Sequence, residues 1–483
     1  MKRVLFVDDE PAVLEALQRS LYKHGDQWDM GFVTSALEAL AVLDAGPINV
    51  IVSDLRMPQM DGLELLEIVR AKYPAVVRIA LSGCAERETA LRASGVVHQY
   101  LAKPCDQDQL VESINRFCAS DAILPNEAVR RVVGAVGDLP LLPQAGSALV
   151  AALRRPDVTI GEIAPIIAQD VGMTAKVLQL VNSPLFGFLC DITSLHSALA
   201  LIGLDTLKEL VLTAEAFRSF EPARPIAGFV LSDFEAHSVL TAKIAAHLPL
   251  AKSILPGSIT SAFLHDIGKL VLAVRLPDLF ERSLRLSHEQ HRPLHRVEAE
   301  LIGVSHAEIG AYLLNLWGLS RSIVDAVCHH HNPPRARPTG DGLEMAGVVH
   351  VADALANEVR AGDDTKEEAA RNLLDSHYLA GFDVIGDVSH WRVIAKNLVD
   401  GARTPEPGRK PLAARSMPAQ KTAERGRRRN GELRRSMETM ISTVHRLMQT
   451  DLTAYQRECL QVLESEGAVL QSAFDDGFEF GPD

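Results

Sequence analysis

Over residues 1–118, short apolar runs at 4–7, 30–33, 50–53, 77–81 and 99–101 alternate with amphipathic stretches of helical length. That alternation predicts repeated strand–helix units around a parallel sheet. The third run is apolar without a polar alternate, as expected when helices cover both faces of a strand. From about 122 to 400 the strand patterns vanish and helical patterns follow one another, as in Leu199 and Ile202 continuing through 210–212. Proline-containing breaks fall at 138–143 and 221–225, the second predicting a boundary between two helical subdomains. At the far end, Leu433, Met437, Met440, Ile441, Val444 and Leu447 recur at spacings of three and four. A second such stripe runs from Tyr455 to Phe474, so residues 431–474 read as a helical hairpin with an apolar seam on each arm.

Length agrees with several units: 483 residues, at about 150 per domain, make about three. With 47% hydrophobic and 23% charged residues, the chain can bury several cores. Its 62 acids outnumber 49 bases for a net charge of −13, which argues against a chain-wide nucleic-acid binder. Residues 401–430 depart from this balance, with four prolines and nine Lys/Arg against two acids. Such a segment buries too little surface to order itself and reads as a basic linker. There is no apolar run of about 18 residues and no signal-like start, so a cytoplasmic protein without membrane insertion is expected. Six dispersed cysteines without a C-x-x-C pair read as reduced thiols.

Candidate chemistry gathers at the strand ends. Asp8 and Asp9 follow the first strand and Asp54 follows the third. In a doubly wound sheet of order 2-1-3-4-5 these strands are neighbours at the switch point, so the three carboxylates converge. Together they raise each other's pKa, a penalty that a hard cation such as Mg²⁺ removes. Ser82 and Lys103 end the fourth and fifth strands and bring a hydroxyl and an ammonium to the same edge. The set suits an aspartyl-phosphate. The segments Val-Asp-Asp-Glu at 7–10, 53–62, Leu-Ser-Gly at 81–83 and Tyr-Leu-Ala-Lys-Pro at 100–104 closely resemble the receiver domain of two-component response regulators. The resemblance covers 1–118. It implies that Asp54 accepts phosphate from a sensor histidine kinase or phosphotransfer protein, that Asp8 and Asp9 help hold Mg²⁺, and that Ser82 and Tyr100 switch together.

Further on, His265-Asp266-Ile-Gly-Lys269 sits in a helical context, with His237 before it and His306, His329-His330-His331 and Asp353 after it. Adjacent His and Asp allow the carboxylate to bridge two metals, and imidazole–carboxylate sets suit Mn, Fe or Zn. Lys269 reads as a surface lysine, with a phosphate contact as its other reading. The segments 182–187, 192–212, 262–272 and 305–320 look like the HDOD domain, an all-helical bacterial signalling module. The resemblance covers roughly 138–335 and implies a regulatory, non-catalytic output. The HD half is also similar to HD-GYP cyclic dinucleotide phosphodiesterases. Carried over by motif, that resemblance implies a ligand set of His237, His265, Asp266, His306, His330, His331 and Asp353. The pattern departs after His331, where Asn332-Pro333-Pro334 replaces Glu and no Gly-Tyr-Pro follows.

The terminal hairpin is distantly similar to the dimerisation hairpin of histidine kinases, but Gly431 occupies the phosphoacceptor position. His445, on a similar helix face, is the one substitute at hand. The expected organisation is thus a receiver at 1–120, an all-α HDOD domain at 121–400 with its HD-like half at about 226–360, a linker at 401–430 and the α-hairpin at 431–474. The function expected is a homodimeric response regulator in which Asp54 phosphorylation controls an HDOD output toward a downstream protein. The alternative is a receiver-regulated, metal-dependent HD phosphohydrolase acting on a nucleotide or cyclic dinucleotide.

Overall fold

The computed structural model describes residues 1–83, 96–103, 107–119, 126–136, 143–153, 158–182, 192–204, 224–248, 254–333, 343–360 and 388–400, with a few isolated positions between them. The chain divides into two units, Met1–Arg403 and Thr404–Asp483. The basic linker and the terminal hairpin, with Gly431 and His445, lie outside the described residues, and so does most of 182–187.

The N-terminal region is a five-stranded parallel sheet of order β2-β1-β3-β4-β5, as the alternating pattern predicts. Its strands are β1 (Lys2–Val7), β2 (Trp28–Val33), β3 (Val50–Asp54), β4 (Val77–Gly83) and β5 (Gln99–Lys103). Helices α1 (Pro11–Leu21), α2 (Ala36–Ala45), α3 (Gly62–Lys72) and α4 (Gln107–Ala119) accompany them. Every residue of β3 is buried, which explains its unbroken apolar run. The strands end later than the apolar runs suggest, because ladder pairing continues to Ser53↔Val7, Asp54↔Leu81 and Gly83↔Lys103. That extension carries Asp54 and Lys103 to one carboxyl edge. Helix α3 starts with a reciprocal cap between Asp61 and Glu64. Its first residue must be glycine, since a Cβ on Gly62 would lie 1.8 Å from the Asp54 carbonyl oxygen.

The remainder of the described first unit is helical: α5 (Glu127–Gly134), α6 (Pro143–Leu153), α7 (Ile160–Ile167), α8 (Val171–Val181), α9 (Leu195–Ile202), α10 (Leu231–His247), α11 (Leu255–Leu264), α12 (Ile267–Arg275), α13 (Pro277–Gln290), α14 (Leu294–Leu301), α15 (His306–Leu316), α16 (Arg321–His329), α17 (Met345–Arg360) and α18 (Val388–Asp400). All eleven residues of α8 are buried, so it forms the centre of the first helical half. One continuous apolar core joins a face of the sheet, through α4 and α5, to α8, α12 and α15. The opposite face of the sheet has a separate core under α2 and α3. Between sheet and helices, buried Arg78 on β4 donates to the Gly134 carbonyl oxygen at 2.8 Å. Arg116 on α4 donates to that of Gly318 at 3.0 Å. Helices α12 and α15 touch through backbone: a Cβ on Gly268 would lie 1.9 Å from the His306 carbonyl oxygen. Among the described residues, no helix is long and apolar enough to cross a membrane.

Candidate functional site

At the carboxyl edge of the sheet, Asp8 and Asp54 are buried and Asp9 is half-buried. Each offers a carboxylate oxygen within 4.8 Å of the other two. The Lys103 ammonium lies 2.8 Å from Asp8 Oδ2 and 2.8 Å from Asp54 Oδ1. Burial raises the Asp54 pKa; Lys103 opposes that rise and the charge on Asp8 adds to it. Lys103 stays firmly charged, because Asp54 and Asp8 outweigh its burial. One ammonium among three acids leaves an acidic pocket of hard oxygens, the donor set that Mg²⁺ takes. Tyr100 is buried on β5 and its hydroxyl has no hydrogen-bond partner among the described residues. Ser82 stands opposite Ala102 near the end of β4; its side chain lies outside the described residues.

The second site is assembled from six helices and their ends. His237 projects from α10, and His265 and Asp266 form the junction between α11 and α12. His306 opens α15, His330 and His331 follow α16, and Asp353 comes from the middle of α17. All seven sequence-predicted residues converge, in two groups: Asp266, His306, His330 and His331; and His237, His265 and Asp353. His329, between the same motif residues, instead faces solvent and bonds the Asp325 carbonyl oxygen.

The ring nitrogens have a common arrangement. Nδ1 of His265 lies 2.7 Å from the Ala262 carbonyl oxygen, and Nδ1 of His330 lies 2.7 Å from that of Val327. A carbonyl only accepts, so each Nδ1 carries a proton and each Nε2 faces the cavity, as a lone pair on neutral His330 and as the atom a metal would take in exchange for a proton on His265. The Nε2 atoms crowd there: His237 to His265 at 3.3 Å, and His331 to His306 at 2.9 Å. Asp353 Oδ1 stands 3.0 Å from His237 Nε2, and Asp266 Oδ1 3.1 Å from His306 Nε2. His330 Nε2 and Asp266 Oδ1 are buried without a hydrogen-bond partner. A buried lone pair left open in this way is unfavourable unless a cation or a hydrogen-bond donor meets it.

Charge balance gives the same picture. Burial disfavours a charge on His265, yet Asp266 and Asp353 raise its pKa to about 10. Burial and the adjacent His265 push His330 down to about 3. Asp266 stays well below the usual carboxylate range, since His265 and Lys269 outweigh its burial. Lys269 is not a solvated surface lysine as expected from its helix position: its ammonium lies 2.5 Å from Asp266 Oδ2. The cavity thus draws in protons and an ammonium to match its carboxylates, and its nitrogen–oxygen donors fit Mn, Fe or Zn.

The motifs missed two residues on α14. Glu298 is fully buried and its Oε2 lies 2.6 Å from His306 Nδ1. His295 stacks on His331, with ring centroids 4.1 Å apart. A signal was present for Glu298: Leu294, Val297, Glu298 and Leu301 share the apolar face of one helix, where a carboxylate needs a partner.

Two family models match the chain: the response regulator receiver domain over residues 4–115 and the HDOD domain over residues 139–333. Among curated proteins, an uncharacterized protein of Treponema pallidum is 27% identical over 204 residues, which are 42% of this chain and 39% of that one. The hydrogenase transcriptional regulatory protein HoxA of Cupriavidus necator is 38% identical over 117 residues, 23% of each chain. This chain therefore spans 23–39% of the length of these two relatives. Of solved structures, the MmoQ response regulator from Methylococcus capsulatus is 21% identical, with a TM-score of 0.40, over 51% of this chain and 98% of that one.

Proposed function

Because the chain is a response regulator that joins a receiver domain to an HDOD domain, we propose that phosphorylation of Asp54 controls the HDOD domain as its output. The supporting observation is the pocket of Asp8, Asp9 and Asp54 with Lys103 bonded to two of them. A receiver domain generally binds Mg²⁺ for phosphorylation, and here Asp8, Asp9 and Asp54 would hold it. When bound, the ion would neutralise charge on the incoming phosphoryl group. An Asp54 carboxylate oxygen forms the new P–O bond as the bond to the donor's imidazole nitrogen breaks, and that imidazole leaves with its proton. Lys103 shifts from Asp54 toward the phosphoryl oxygens. Ser82 and Tyr100 read the added charge, which biases the packing of β4 and β5 against the helices. The donor is a sensor histidine kinase or a phosphotransfer protein, and the output is contact with a downstream protein.

In this reading the receiver occupies 1–120, the HDOD domain 121–400, and the hairpin 431–474 pairs two chains in the cytoplasm. Phosphoryl incorporation from a small phosphodonor, compared between the wild type and Asp54→Asn, tests the acceptor. Incorporation retained by Asp54→Asn overturns it. Deleting 431–483 and measuring mass in solution tests the pairing; an unchanged dimer rejects it.

A second reading has an observation of its own: seven potential ligands in the HD-like half, two of which, Asp266 and His330, have buried, unpartnered donor atoms. His237, His265 and Asp353 would hold one transition metal, and Asp266, His306, His330 and His331 another. Such ions supply an activated water for phosphoester cleavage. Elemental analysis for Mn, Fe and Zn, with Asp266→Ala beside the wild type, decides whether a substrate screen on nucleotides and cyclic dinucleotides is warranted. Protein that neither carries nor takes up metal leaves only the protein-interaction output.

A further inference from the structure

We infer that Glu298 is a positioning residue that fixes His306 with its Nε2 lone pair toward Asp266 and His331, and so makes the Asp266 group the tighter of two cation sites. This rests on the reading of the HD-like half as a metal centre. Glu298 lies eight residues before His306, on a different helix, and belongs to none of the motifs that mark the cluster.

Its geometry is specific. One oxygen, Oε2, accepts from the backbone nitrogen of His306 at 2.8 Å and lies 2.6 Å from His306 Nδ1. An acceptor of this kind holds a proton on Nδ1, so Nε2 is the nitrogen that a cation would take. That Nε2 is 3.1 Å from Asp266 Oδ1 and 2.9 Å from His331 Nε2. Lys269 and His265 approach the other oxygen of Asp266, Oδ2, so Oδ1 faces the His306 side.

One imidazole of the Asp266 group has a carboxylate behind it. His265 in the other group, and His330 in this one, lean on backbone carbonyls. His306 leans on a wholly buried carboxylate. A carboxylate behind a ligating histidine fixes the ring and raises its basicity, and losing it weakens metal binding about 10–100-fold. The Asp266 group also has four donor residues against three. Helix α14 supports the same group a second time, through the stack of His295 on His331.

Capping of α15 alone would explain the backbone bond but not the ring contact. Glu298→Gln separates the two roles: its amide oxygen still accepts from the His306 backbone, but the charge is gone. The test is Mn²⁺ titration of the full chain after chelation, followed by calorimetry, with circular dichroism to check folding. Two binding steps are expected for the wild type. In Glu298→Gln the tighter step should weaken about 10–100-fold while the weaker one keeps its affinity. A wild type without any binding step overturns the metal-centre reading itself. Wild-type binding that Glu298→Gln leaves unchanged overturns the role of Glu298 alone. If Glu298→Gln does not fold, ¹⁵N-histidine NMR of the wild type replaces it: a strongly deshielded proton on His306 Nδ1 is expected, and a proton on Nε2 instead overturns the inference.

Discussion

At the edge of the sheet, three carboxylates (Asp8, Asp9 and Asp54) meet one ammonium, Lys103. Among the helices, three carboxylates (Asp266, Asp353 and Glu298) also meet one ammonium, Lys269, but with five imidazoles between them. The acidic groups match; the spacer chemistry differs. Without imidazoles, the first pocket has only hard oxygens and an uncompensated negative charge, a set suited to a hard dication such as Mg²⁺. With them, the second offers nitrogen lone pairs held in register by carbonyls and by Glu298, a set suited to softer dications. Both also depend on one glycine pressed against backbone. The would-be Cβ of Gly62 lies 1.8 Å from the Asp54 carbonyl oxygen, and that of Gly268 lies 1.9 Å from the carbonyl oxygen of His306.

A buried carboxyl outside both sites makes a contrast. Glu235 is buried beside Asp170 and accepts from the Val171 backbone nitrogen at 2.9 Å. Burial first, and the charge on Asp170 second, raise its pKa to about 9. It folds as the neutral acid, whereas Asp266 and Asp353 are kept ionised by the histidines around them.

The largest effect that would break the comparison is chemical. Asp54→Asn should abolish phosphoryl incorporation from a small donor and leave transition-metal content unchanged; a loss of both would mean the sites are not independent. Next, Asp266→Ala should remove a ligand from the Asp266 group and weaken Mn²⁺ or Zn²⁺ binding by more than the about 10–100-fold expected from a supporting group. It should not alter Mg²⁺ binding at Asp54, as calorimetry on the same sample would show.

Gly62→Ala and Gly268→Ala should each destabilise by about 1–3 kcal/mol, because backbone has to move to admit a methyl group. Thermal melts would read the loss. Only the first should slow phosphorylation and only the second should loosen metal, which sharpens the parallel. Smaller per pH unit, though it accumulates across the window, is the pH dependence set by Glu235. Between its ordinary value of 4.5 and about 9, the folded chain holds a proton that the unfolded chain has lost. Its stabilising contribution is therefore complete below the ordinary value and declines as pH rises across that window. Glu235→Gln should flatten the fall in stability by about 1.4 kcal/mol per pH unit, measured by denaturant unfolding at several pH values.

Hydrophobic periodicity made the α/β–helical division legible, and the run at 50–53 suited a doubly covered parallel strand; the sheet order came from the doubly wound form assumed for such units, not from the periodicity. The carboxylate pocket was legible too. Strand ends in a doubly wound sheet have fixed neighbours, so Asp8, Asp9, Asp54 and Lys103 could be brought together from position alone. The seven His and Asp residues of the second site could be named from their motifs, because ligand chemistry constrains which residue types appear.

Their division into two groups, the support from α14 and the ion pair of Lys269 were decided by packing. Local pattern reports which face of a helix is apolar, but not which helix lies opposite. Glu298 on such a face announced that it needed a partner; only the placement of α14 against α15 made that partner His306. Lys269 looked like any lysine on a helix until the turn at His265-Asp266 set its ammonium on Asp266. Interactions across the chain depend on rigid-body geometry summed over many buried contacts, and no short stretch of residues encodes that sum.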